Sequence, residues 1–64
     1  MKLTVNGEPR ELDDATTLAR LLDDQPARGV AAAVDGEVVP RTEWAAFLLA
    51  EGQAVEILTA VQGG

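Results

Sequence analysis

The sequence predicts an α+β fold, a mixed sheet of about four to five strands packed on one helix. Three observations carry that prediction. Asn6-Gly7 and Asp35-Gly36 each lie between short runs of strand-forming residues, the mark of a tight hairpin. Leu18, Leu21 and Leu22 fall at i, i+3 and i+4, one face of a helix. A last alternating run, "QAVEILTAV", follows Gly52. Neither hairpin buries its own apolar face, but one sheet with the helix laid across it covers both.

The elements follow in order. Met1, Leu3 and Val5 alternate with Lys2 and Thr4, as in a half-buried first strand. Asn6-Gly7 turns it into a second strand over about Arg10–Leu12, with Pro9 tolerable near the start or on an edge. "DDATTLARLLDD" changes period to that of a helix. Thr16 or Thr17 is placed to accept from its first free N–H groups, and Asp13 and Asp14 suit the positive end of its dipole. Pro26 and Gly29 stop it.

In "VAAAVDGEVVP", Val30, Ala32 and Val34 alternate, Asp35-Gly36 turns, and Val38-Val39 return before Pro40. The small alanines predict a strand covered closely by the helix. Thr42 is expected to cap a short helical turn that sets Trp44 against the core, with Phe47 and Leu48 nearby. The last strand presents Val55, Ile57 and Thr59 on one face and Glu56, Leu58 and Ala60 on the other. First and last strands, separated by the whole chain, are expected side by side and parallel in the middle of the sheet. The domain is thus read as residues 1–60, and residues 61–64 as a flexible tail, Val61-Gln62-Gly63-Gly64, leaving a firmly anchored strand.

Composition narrows the chemistry. At 64 residues the chain is one domain at most. A chain of this size buries only about 60% of its unfolded surface, which predicts a net stability of about 3–6 kcal/mol. Cysteine and histidine are both absent, which removes disulfides, thiolate metal sites, and the usual general base and thiol nucleophile. No metal site is expected. A net charge of −6 argues against nucleic acid and anionic membranes as partners. The acids are scattered as solvated surface charge, and no apolar run is long enough to span a membrane, so the default expectation is a cytoplasmic protein.

Gly7, Gly29, Gly36 and Gly52 are spaced as turn residues, and nothing has the form of a phosphate-binding loop. Arg41, Glu43 and Trp44 form the one cluster with the look of a site, and a Trp after a short turn reads better as a lid on the core. The terminal Gly63-Gly64 stands apart, since glycines there neither pack nor anchor anything.

Taken together, "MKLTVNGE", "VAAAVDGEVVPRTEW" and "AEGQAVEILTAVQGG" resemble the sulfur carrier proteins of thiamine biosynthesis. The resemblance covers nearly the whole chain, and Val38 to Trp44 and Gly63-Gly64 are its most specific parts. It implies a ubiquitin-like β-grasp fold and a carrier that is not itself an enzyme and binds no cofactor. An E1-like partner enzyme would adenylate the Gly64 carboxylate with ATP. Sulfur from a cysteine desulfurase or a sulfurtransferase would displace AMP to leave a thiocarboxylate, which thiazole synthase would consume. Gln53 departs from the family, where an Asp commonly follows the glycine of that turn, and predicts a weaker turn there.

The residues are consistent with such a carrier. A carboxylate is a poor electrophile at neutral pH, and the chain offers nothing recognisable for binding ATP, so activation falls to a partner. Glycines suit a tail that must enter a narrow channel. Leu58 and Ala60, with Val61, lack an obvious internal partner and are expected to face the partner proteins. The small subunit of molybdopterin synthase, and a ubiquitin-like protein modifier, are alternatives that share the Gly-Gly end.

Overall fold

The computed structural model describes residues 1–23 and 29–59. The elements are β1 (Lys2–Val5), β2 (Glu8–Glu11), α1 (Leu18–Leu21), β3 (Val30–Val34), β4 (Glu37–Val39), a 3-10 helix (Arg41–Ala46) and β5 (Ala54–Thr59). One five-stranded sheet runs in the order β2-β1-β5-β3-β4. β1 and β5 pair in parallel at its centre, and the other pairs are antiparallel. The order of elements, the mixed sheet and the parallel central pair are those expected.

Both predicted hairpins form, and both turns have positive φ at their two central residues: 51° and 82° at Asn6-Gly7, 51° and 84° at Asp35-Gly36. This is the twist that suits a two-residue hairpin. A Cβ on Gly7 or Gly36 would meet nothing within 4 Å, so backbone conformation and not space selects glycine at both. β2 begins at Glu8, earlier than its apolar content indicated, and Pro9 sits within it opposite Thr4. As β2 is an edge strand, the missing proline N–H costs no ladder bond.

α1 is a single turn, shorter than the heptad-like run of leucines suggested. Ala15, at φ 67°, delays the start, and Thr17 is the N-cap, its Oγ1 accepting from the Arg20 N–H at 3.2 Å. The Leu22 N–H donates to Leu18 O at 3.1 Å. So short a helix does not persist by itself. Packing holds it: Leu18 is wholly buried and Leu22 nearly so, while Leu21 lies at the margin of the core. Thr16 is buried too, with its hydroxyl donating to the Asp13 carbonyl.

Two expectations about the segment after β4 are corrected. The 3-10 helix is entered at Pro40 with no side-chain cap, so Thr42 lies inside it and does not cap it. Pro40 stands at the N-cap with φ −59° and ψ 145°, and proline has no side-chain acceptor to offer there. Leu48 is 61% exposed, and Leu49 takes the core position. The cause is a strap between this segment and the entry to α1. Leu18 N–H donates to Phe47 O at 2.9 Å and Leu49 N–H to Thr16 O at 3.0 Å, which turns Leu48 outward and Leu49 inward. Trp44 does close the core as a lid. Its indole N–H donates to Val39 O at 2.8 Å, and the Arg41 guanidinium lies 5.6 Å from its ring centroid.

Gln53, the departure noted in the turn before β5, bonds within that turn. Its side-chain Oε1 accepts from the Ala50 N–H at 2.8 Å, and its own N–H donates to Ala50 O at 3.3 Å. The expected helix stop at Pro26 and the boundary between domain and tail fall outside the described residues.

Candidate functional site

The site predicted from sequence is the end of the last strand, so what holds β5 matters first. Its core face is anchored by Val55, 1% exposed, with Ile57 packed beside it. On one flank β3 pairs with it from Val34↔Val55 to Val30↔Thr59. On the other, β1 pairs only at Thr4↔Ala54 and Val5↔Val55 before the chain turns away.

Each flank ends in a side-chain clasp. At Asn6 the left-handed backbone takes the main-chain carbonyl out of line, and the Asn6 side-chain Oδ1 accepts from the Ile57 N–H at 2.8 Å. The Asn6 N–H donates to Val55 O at 2.8 Å. Across the strand, Asp35 does the same: its Oδ1 accepts from the Ala54 N–H at 2.9 Å and its N–H donates to Ala54 O at 2.8 Å. Two turn residues thus supply the acceptors that their own backbones withdraw. Further back, Gly52 N–H donates to Lys2 O at 2.8 Å and the Glu51 carboxylate accepts from Lys2 N–H at 2.8 Å.

Beyond the clasps, Leu58 is 65% exposed, on the sheet face opposite the helix. It stands directly across from Ala31. Ala33 and Val38, the latter 74% exposed, continue the same face along the β3–β4 hairpin, with Glu56 between them and Leu58. At the strand's end a shallow groove of about 330 Å³ is lined by Gly29, Val30, Ala31, Leu58 and Thr59. Ala31, Ala33 and Val38 were not singled out from the sequence. The signal was there: a two-residue turn at Asp35-Gly36 fixes Ala33 opposite Val38, and alternation then puts both on the open face. The predicted positions Ala60, Val61, Gln62, Gly63 and Gly64 lie outside the described residues.

The rest of the described surface offers little chemistry of its own. Among the described residues no three His, Cys, Asp or Glu side chains are grouped to hold a metal ion. Arg41, Glu43 and Trp44 make a lid, with the indole used up on Val39 O. Among the described residues no helix is long and apolar enough to cross a membrane.

The ThiS family model matches residues 3–64. The chain is 27% identical, over the full length of both, to the sulfur carrier protein ThiS of Escherichia coli K12. Among solved structures it is similar to the crystal structure of the thiamine biosynthesis protein ThiS from Geobacter metallireducens. The identity is 35%, the TM-score 0.83, and both chains are covered completely. The solution structure of a thiamine biosynthesis protein from the same organism matches with 36% identity and a TM-score of 0.76, over all of this chain and 88% of that one. The chain belongs to the ThiS family, and its fold is the ubiquitin-like β-grasp that the resemblance implied.

Proposed function

From membership of the ThiS family, we propose that this chain is a sulfur carrier protein of thiamine biosynthesis, a carrier and not an enzyme. The observation that carries the reading is the family match, which runs through the last residues, Gly63-Gly64. The relative from Escherichia coli, matched end to end, is a sulfur carrier protein.

The chemistry proposed is acyl activation at Gly64 by a partner in the cytoplasm. An E1-like enzyme transfers AMP from ATP to the terminal carboxylate, with release of pyrophosphate, so that a poor electrophile becomes a mixed anhydride. A persulfide furnished by a cysteine desulfurase or a sulfurtransferase then attacks the acyl carbon and expels AMP, and a thiol of the donor or activating enzyme cleaves the acyl disulfide so formed, ending as a disulfide itself and leaving the thiocarboxylate. Thiazole synthase takes the sulfur from there. The chain contains no cysteine or histidine to intercept the activated acyl group. Its own contribution is presentation: the doubly clasped β5 gives a fixed base, and Gly63 and Gly64 end the chain without side chains. Leu58, with Ala60 and Val61, is proposed to rest against the partners.

Intact-mass measurement after incubation with the activating enzyme, ATP and a sulfur donor tests the reading. Replacement of one oxygen by sulfur, localised to the last residue, is the expected result. An unchanged mass, with the activating enzyme competent on another carrier, overturns it.

A further inference from the structure

The Asn6-Gly7 and Asp35-Gly36 turns are one structure built twice, yet the first carries a reactive pair. In Asn-Gly the glycine nitrogen, with no side chain beside it, attacks the asparagine Cγ. A C–N bond forms, ammonia leaves, and a succinimide ring closes. Water then opens the ring at either carbonyl. One opening leaves aspartate. The other leaves isoaspartate, in which the main chain runs through the former side-chain carbon. Only water is consumed, and no oxidation or reduction is involved.

In the folded domain the Asn6 side chain is already engaged. Its Oδ1 is held by the Ile57 N–H at 2.8 Å, and its backbone N–H is tied to Val55 O at 2.8 Å. Ring closure needs Cγ turned onto the Gly7 nitrogen, and a side chain tied to the Ile57 N–H is not free to make that turn. Crowding plays no part, since a Cβ on Gly7 would meet nothing within 4 Å.

We propose that Asn6-Gly7 is a deamidation site gated by the β1–β5 junction: closed while Ile57 holds the Asn6 side chain, open to water-driven modification once the junction parts. The two products fare differently. An aspartate at Asn6 is readmitted, because Asp35 shows the same clasp made by a carboxylate at the same φ of 51°. Isoaspartate lengthens the main chain by one carbon between β1 and its turn and moves the acceptor, so the ladder to β5 does not reclose. The hairpin therefore keeps a chemical record of opening, independent of any sulfur carried at Gly64.

The test is incubation of the full chain at mildly alkaline pH, with and without denaturing urea, followed by intact mass and mapping of the peptide that contains Gly7. Deamidation at Asn6 is expected at least about tenfold faster in urea than in buffer. Equal rates overturn the gate. The product arm uses Asn6→Asp, expected to melt within a few degrees of the parent, and a large loss of melting temperature overturns readmission. Asp35→Asn sharpens the test by creating a second Asn-Gly pair: it is expected to be labile in urea and protected in buffer, and rapid loss in buffer counts against the clasp as the protecting element.

Discussion

The two hairpins share a turn and a clasp but not a role in the core. β2 is exposed along its whole length, Glu8–Glu11, and contributes no buried side chain. Its counterpart β4 puts Val39 into the core and hands its carbonyl to the Trp44 indole. Their inner strands differ as well: β1 meets β5 at two register positions in parallel, whereas β3 meets it at five, antiparallel. Both inner strands feed the core, Leu3 and Val5 from β1 and Ala32 and Val34 from β3, and only the second hairpin adds to it from its outer strand. The N-terminal one does the centring, closing the open flank of β5 with few contacts and one well-placed amide.

That contrast is easiest to break at Trp44. Trp44→Ala empties the lid over the β3–β4 side and is expected to cost about 3–5 kcal/mol, enough to unfold most of a domain this small. Loss of the cooperative melt in circular dichroism is the readout. Arg10→Ala on β2, by comparison, is expected to stay within about 0.5 kcal/mol.

The clasps come next. Asn6→Gly and Asp35→Gly keep the positive φ accessible and remove the acceptor from a β5 N–H; both bonds are exposed to solvent, so each is expected to lose about 0.5–1.5 kcal/mol. Urea titration checks both. Asn6→Gly is expected to lose more, because the β1–β5 ladder it terminates is the shorter one; the reverse ranking would mean that the N-terminal hairpin does not depend on its amide.

The smallest effect on stability is expected at the tip of β5. Leu58→Asp, on an exposed side chain, is expected to change stability by no more than about 0.5 kcal/mol while weakening binding to the activating enzyme. Melting paired with titration calorimetry separates the two. An unfolded variant would place Leu58 in the core.

Much of this was legible in the residues because the strongest signals are local. Asn-Gly, Asp-Gly and the alternation around them fix two hairpins within a few residues each, and of the two candidate caps, Thr16 and Thr17, the second is used. What escaped was set by contacts distant in the chain. Leu49 and not Leu48 is buried because the strand-like pairing with Thr16–Leu18 chooses the face, and nothing within "FLLA" announces it. The clasps were equally hidden. An Asx residue before glycine explains itself as a turn, and its second use, as an acceptor for a strand some 20 to 50 positions away, emerges only when the sheet is assembled. Of the candidate site, Leu58 was found from its face on the strand, whereas Val38 required the register of a hairpin partner.

The asymmetry of the two ladders has a mechanical side. A partner that draws on the chain beyond Thr59 pulls along the axis of β5. The ladder bonds to β1 and β3 lie across that axis, so they are loaded together in shear and are not peeled one after another. The short parallel ladder and its amide clasp share the load with the longer antiparallel one from the first instant. A pull applied beyond Thr59 therefore meets both ladders at once, and the domain behind it is held by their sum.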